Sequence, residues 1–169
     1  MQTNPGRLTI ANQNPLVVFL IGARINKWWL LPIALPLLSK MTRMLRELAQ
    51  DPESGLLGVQ PLGLGVSVQY WRSTDHLERY ARDNSREHRS AWQAFFKKVY
   101  RNAAIGIWHE TFVVPAGNYE SIYVNMPTTG MGHFKPLLNA DGILNTFTAR
   151  LAAPPRDSAL QGAARQSAE

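Results

Sequence analysis

The spacing of apolar residues along the first half of the chain predicts a strand, a helix and a hairpin. Residues 16–21 form a continuous branched and aromatic run, typical of a strand buried on both faces. Apolar residues at 37–48 recur at helical spacing, opposite a basic stripe, and predict an amphipathic helix. Residues 55–59 and 66–71 then show two short strand patterns around a proline-glycine turn, which favours antiparallel neighbours.

The second half of the sequence predicts a helical region that is divided into two helices, followed by two strands. Ser73 is a suitable N-cap for a short helix, and Asn84 with Glu87 has the spacing of a capping box that restarts the helix. Residues 103–114 form a long strand pattern, and a Pro-Ala-Gly-Asn turn leads into a last predicted strand at 119–126.

Collected in order, these elements predict an α+β fold of the ferredoxin-like, split βαβ type, with an antiparallel sheet and helices on one sheet face. The uncovered face needs a partner, so we expect a homodimer in which two sheets pack together as a dimeric α+β barrel. The domain is predicted to span residues 15–136. Residues 1–14 are expected to form an N-terminal extension and 137–169 a C-terminal one, disordered from about 152 because that stretch has little to bury.

Composition narrows the class of protein. The 169 residues, 45% of them hydrophobic, suit one domain with a real core. There is no cysteine, which excludes disulfides, thiolate metal sites and a cysteine nucleophile, and fits a cytoplasmic location. The net charge is +6, but the basic residues are scattered without a recognition motif, so we expect no nucleic-acid partner.

The longest apolar run, residues 28–38, holds two prolines and is too short to span a bilayer. Residues 1–14 lack the charged-then-apolar order of a signal peptide. We therefore expect neither secretion nor a transmembrane segment.

Two ionisable residues interrupt the apolar strand pattern at 103–114. Alternation places His109 on one face and Glu110 on the other, together with Trp108, a candidate substrate-binding residue, so the two ionisable side chains point apart. A buried ionisable group needs a partner or a shifted pKa, which makes both of them candidate catalytic residues. The alternative is a hydrogen-bonded core histidine and a carboxylate bound to an arginine.

A second candidate histidine lies on the predicted helix. His88 is four residues before Trp92 and shares its apolar face, so it is placed to act as a general base or as an axial haem ligand. A histidine at the margin of the core is the alternative.

Polar and aromatic residues line one face of the predicted last strand. Tyr123 and Asn125 belong to this stripe, and with Tyr70 of the hairpin they offer flat surfaces and hydrogen bonds for a planar organic ligand. A dimer contact would need the same residue types. The sequence has no metal-ligand histidine spacing, no nucleophile elbow and no dinucleotide fingerprint, which disfavours those enzyme classes.

Several motifs resemble a known group of proteins. Those at 70–73 (YWRS), 77–82 (LERYAR) and 88–92 (HRSAW) resemble the strand-to-helix passage of antibiotic-biosynthesis-type monooxygenases in the dimeric α+β barrel superfamily. Those at 106–111 (GIWHET) and 117–127 (GNYESIYVNMP) are similar to a bacterial and fungal branch filed as monooxygenase-like.

The resemblance covers most of residues 16–136 and implies a ferredoxin-like protomer, a homodimer and a pocket between sheet and helices. Relatives in the superfamily oxygenate phenolic polyketides without a cofactor, degrade haem, or act as haem-containing dehydratases, so the fold alone does not select among these functions.

The sequence is therefore consistent with three functions. The first is a cofactor-independent monooxygenase for an aromatic or polyketide-like substrate, with His88 or His109 as base and Trp92, Tyr123 and Asn125 orienting the ligand. The second is a haem enzyme with His88 or His109 as the axial ligand. The third is a non-catalytic, ligand-binding dimer.

Overall fold

The computed structural model describes residues 3–32, 39, 43, 45–63, 65–82, 103 and 105–152. The strands in these ranges are β1 (Arg7–Ile10), β2 (Leu16–Ile25), β3 (Leu56–Pro61), β4 (Val66–Trp71), β5 (Ile105–Val114), β6 (Tyr123–Val124) and β7 (Leu137–Asn139). The helices are α1 (Thr74–Arg82) and α2 (Phe147–Leu151), and residues 45–49 are also helical.

The chain divides into two compact units. The central unit is Val17–Val113, and the terminal unit is Met1–Leu16 with Val114–Glu169.

The strands β3, β4, β2 and β5 form one sheet, in that spatial order. β4 is antiparallel to both of its neighbours, and it separates β2 from β3, the two strands that the helical residues 45–49 connect along the chain. A strand inserted between the two strands of a βαβ unit defines the split arrangement. The predicted α+β, ferredoxin-like fold is therefore confirmed.

One face of this sheet is covered by helices. Successive side chains of a strand point to opposite faces, and the pairing of Val17 with Trp71 puts both residues on the same face. Both are buried there with Leu48 from the helical residues 45–49, and Leu77 of α1 packs against this cluster. We call this side the helix-covered face.

The opposite side is the open face. Val18 and Leu20 point to it from β2, and their pairing partners Tyr70 and Val68 point to it from β4. These four residues are only partly buried. The sheet is thus apolar on both faces while its own helices cover one.

β2 is longer than the predicted strand at 16–21. The apolar run stops at Gly22, yet the pairing with β4 continues to Gly22 and Val66. A side-chain carbon at Gly22 would lie 2.5 Å from the indole nitrogen of Trp108, so the glycine is needed for the close approach of that ring. Gly22, where the apolar pattern predicts the strand to end, therefore lies within β2 and allows the Trp108 ring to pack.

The terminal unit contains a second sheet in which β1 lies between β6 and β7, antiparallel to both. The predicted last strand at 119–126 was wrong: only Tyr123–Val124 is a strand, and it pairs with β1. Upstream of it, the backbone carbonyls are bound by side chains. Thr9 donates to the oxygen of Ser121 at 2.7 Å, and Asn12 donates to that of Tyr119 at 3.1 Å. These bonds replace a strand ladder.

Some predicted elements lie outside the described residues. They are the helix at 84–99, most of residues 37–44 and the tail beyond 152. Among the residues that the structure does describe, none belongs to a helix long and apolar enough to cross a bilayer.

Candidate functional site

A cavity of about 440 Å³ lies on the helix-covered face, between the sheet and the helical residues 45–49. Its wall is largely apolar. Three strands contribute Ile21, Val59 and Ile107, and the helix contributes Leu45 and Ala49, which lie four residues apart and therefore share one helix face. A cavity of this size and lining suits a small organic molecule.

The polar side chains of the described lining are Arg46, Ser67 and Gln69. Arg46 is exposed, whereas Gln69 is only 4% exposed. The indole nitrogen of Trp71 donates to Oε1 of Gln69 at 3.1 Å. Both residues belong to β4 and point to the helix-covered face, so the fully buried Trp71 fixes the position of the amide.

His109 lies on the same face of the sheet as this cavity. It is two residues from Ile107 on β5, and its ring packs against Phe19 with the centroids 5.2 Å apart. The side chain is exposed rather than buried. Phe19 is also the pairing partner of Gln69, so Gln69, Phe19 and His109 form a row across three neighbouring strands. Two strand intervals separate the outer members by about 10 Å.

Three other predicted site residues point to the open face. Tyr70 pairs with Val18 there, and the indole of Trp108 lies over Gly22. Glu110 follows the same alternation as Trp108 and is exposed. The structure therefore separates these three side chains from His109 and from the cavity.

The predicted ligand-orienting residues of the terminal unit contact its backbone. The hydroxyl of Tyr123 accepts a hydrogen bond from the amide of Gly132 at 3.2 Å. Asn125 has a φ of +51°, and its side-chain oxygen accepts from the amide of Gly6 at 2.9 Å. Asparagine tolerates this left-handed conformation well, so both residues have a structural role. His88 and Trp92 lie outside the described residues.

The sequence pattern does not predict the ion pair of the terminal unit between the buried Arg150 and the partly buried Glu120. Nε of Arg150 donates to Glu120 at 2.6 Å, and the guanidinium also donates to the backbone oxygens of Leu144 and Asn145. Arg150 is 6% exposed. Thirty residues separate the two charges along the chain, and no periodicity connects them.

A cation and an aromatic ring meet nearby in the same unit. The ammonium of Lys135 lies 5.1 Å from the centroid of Tyr119, whose hydroxyl donates to the backbone oxygen of Asn14 at 2.8 Å. Burial raises the pKa of Tyr119 and lowers the pKa of Lys135, because it disfavours the charged form of each group.

The part of the chain that the structure describes holds no cluster of three or more histidine or acidic residues able to bind a metal ion. Its cavity lining includes no histidine, tyrosine or methionine to serve as an axial haem ligand, and the exposed His109 is not among the lining residues. The described lining therefore supplies no axial ligand for haem.

A protein-family model described as Monooxygenase af470-like matches residues 16–131. The match includes all four strands of the main sheet and every described residue that lines the cavity. No match to a curated protein was found. Since the matched region exceeds half of the chain, the protein belongs to the Monooxygenase af470-like family.

Proposed function

We propose that this protein is an enzyme that oxygenates an aromatic or polyketide-like small molecule without a cofactor, within the cavity of the helix-covered face. The monooxygenase-like family supports the reaction class. The observation that carries the proposal is the cavity itself. It is a largely apolar space of about 440 Å³ whose wall includes the amide of Gln69 and Ile107, and His109 follows Ile107 by two residues on β5. A largely apolar wall favours the binding of an aromatic ring.

The proposed chemistry begins with removal of a proton from a CH₂ group that an aromatic ring conjugates to a carbonyl group, so that the anion formed is an enolate. His109 acts as the base, because a neutral imidazole accepts protons near physiological pH. The resulting enolate transfers an electron to O₂, and the two radicals combine to form a carbon–oxygen bond. The peroxide takes up a proton from the imidazolium of His109. Loss of water then removes the second hydrogen and breaks the O–O bond, so CH₂ and O₂ become C=O and H₂O.

His109 can reach a ligand only at the edge of the cavity, because Ile107 lines the cavity wall and His109 does not. The ring contact with Phe19 directs the imidazole along the helix-covered face. His88, outside the described residues, is the alternative base, and Trp92 the alternative aromatic contact.

Oxygen consumption with anthrone tests this proposal, because anthrone carries a CH₂ group between two aromatic rings. We expect the wild type to consume oxygen faster than buffer, and His109→Gln to be slower by about 100-fold or more. His133→Gln is the matched control, since His133 is an exposed histidine of the terminal unit. Equal rates for wild type and His109→Gln would remove His109 from the mechanism. Anthrone binding without oxygen consumption would favour a ligand-binding protein.

The absorption spectrum of the purified protein tests the absence of a cofactor. We expect no Soret band, even after haem is supplied during expression. A Soret band that His88→Ala or His109→Ala abolishes would favour the haem enzyme instead.

A homodimer is the second part of the proposal. Trp108 and Phe112 on the open face are 42% and 50% exposed, and they extend the apolar surface formed by Val18, Leu20 and Val68. A second copy would cover this surface. We expect light scattering to give twice the 19.0 kDa mass of one chain. Phe112→Lys should give monomers, whereas Phe147→Lys, at a similarly exposed phenylalanine of α2, should not.

A further inference from the structure

The amide of Gln69 has a fixed orientation. An indole nitrogen donates hydrogen bonds and cannot accept them, so the oxygen of the Gln69 amide must face Trp71. The usual ambiguity between the oxygen and nitrogen of an amide is therefore resolved by chemistry at this position. The NH₂ group, with its two donors, is the end left for other partners.

That NH₂ group has no hydrogen-bond partner among the described residues, although Gln69 is only 4% exposed and lines the cavity. Among the described residues, Ser121 Oγ is the one fully buried side-chain nitrogen or oxygen atom without a partner, so the NH₂ group of Gln69 stays accessible to water or to a ligand in the cavity. The pairing neighbour of Gln69 on β3, Val59, is an apolar residue of the same cavity wall. A ligand acceptor in the cavity would satisfy the NH₂ group.

We propose that Gln69 is the polar anchor of the cavity, donating a hydrogen bond from its side-chain nitrogen to a carbonyl oxygen conjugated to an aromatic ring. This inference rests on the proposed function and names its ligand class as aryl ketones. The same bond strengthens when the ketone becomes an enolate, because hydrogen bonds to charged acceptors are stronger than those to neutral ones. Gln69 thus favours the anion that His109 generates.

The row across the sheet sets the distance between the anchor and the base. Gln69 and His109 lie on either side of Phe19, with about 10 Å between their strands. Phe19 packs against the core cluster and does not line the cavity, so a ligand held at Gln69 must extend past Phe19 to the cavity edge for its acidic carbon to meet His109.

A matched pair of ligands tests the anchor without requiring turnover. The ketone 2-acetonaphthone carries one acceptor oxygen, and 2-ethylnaphthalene has a similar shape without it. We expect the wild type to bind the ketone about threefold to tenfold more tightly, the range expected for one neutral hydrogen bond. Tryptophan fluorescence quenching measures both affinities.

Gln69→Glu, measured at alkaline pH so that the carboxyl is ionised, is the decisive variant, because it keeps an oxygen to accept from Trp71 and carries no donor. We expect it to lose the preference for the ketone while still binding 2-ethylnaphthalene. Gln13→Glu, the same change at an exposed glutamine of the terminal unit, should keep the wild-type preference. Retention of the preference by Gln69→Glu would overturn the proposal, as would its absence in the wild type.

A second measurement covers the case in which Gln69→Glu does not fold. In the wild type, the side-chain NH₂ signals of Gln69 in a ¹H–¹⁵N spectrum should shift with the ketone and much less with 2-ethylnaphthalene. Equal shifts would overturn the anchor. Ketone-selective binding without oxygen consumption would leave the anchor standing while the proposed oxygenation fails.

Discussion

The imidazole of His109 packs against the phenyl ring of Phe19, with centroids 5.2 Å apart and ring planes tilted by 35°. The two residues belong to adjacent strands and share the face that carries the cavity. This contact holds an otherwise exposed histidine in one direction, which a base at the edge of a binding site requires.

Phe19→Leu removes the ring and should release His109. We expect the His109 ring protons to move toward the chemical shifts of a free histidine in ¹H NMR, and the unfolding free energy to fall by about 1 kcal/mol. Oxygen consumption with anthrone should fall through kcat with little change in KM, because binding does not need the base. Unchanged His109 signals would show that Phe19 does not position the ring.

Glu120→Gln tests the buried ion pair with Arg150. Removing one partner leaves the other charge buried, so we expect a loss of about 3 kcal/mol in unfolding free energy, measured by urea denaturation. The control is Glu78→Gln, which breaks the exposed Glu78–Arg82 pair one turn apart on α1 and should cost no more than about 0.5 kcal/mol. Equal losses of unfolding free energy in the two variants would show that burial of Arg150 does not make its ion pair more important than an exposed one.

Gly22→Ala tests the close approach of Trp108. The added carbon would lie 2.5 Å from the indole, so the ring must move, and we expect a loss of about 1–3 kcal/mol in unfolding free energy. Gly106→Ala is the matched control within the same sheet, because its nearest atom is 3.5 Å away, an ordinary contact. A change in tryptophan fluorescence should accompany only the first variant.

The raised pKa of Tyr119 predicts that the unfolding free energy depends on pH. This pKa lies above 10.0 in the folded chain, so the unfolded chain loses the proton first and the unfolding free energy falls as the pH rises past 10.0. Tyr119→Phe should lose about 1 kcal/mol at neutral pH, because the hydrogen bond to Asn14 is gone. Urea denaturation at rising pH should show the difference between wild type and variant shrinking above 10.0. A constant difference would contradict the raised pKa.

The main sheet follows from the sequence because its signals are local. Continuous apolar runs and turn residues mark β2, β3, β4 and β5, and their order along the chain with helices between them specifies the split βαβ arrangement. Alternation also placed His109 and Glu110 on opposite faces, as the structure has them. Strand periodicity is enough for such statements because it is fixed by the backbone.

Burial and pairing partners follow less well from the sequence. His109 interrupts an apolar run yet is exposed, because β5 is the edge strand of the sheet and edge position is a property of topology. The strand pattern at 119–126 mostly failed because Thr9 and Asn12, more than a hundred residues earlier, bind its backbone. One sequence signal marked the amide of Gln69: it is a polar residue two positions before the buried Trp71, on the same strand face.

The location of the ligand is the central claim, and methyl NMR tests it most directly. With isoleucine methyl groups labelled, titration with 2-acetonaphthone should shift Ile21 and Ile107, which line the cavity, and leave Ile122 and Ile143 of the terminal unit unchanged. Shifts confined to Ile122 or Ile143, with Ile21 and Ile107 unmoved at saturation, would contradict the account.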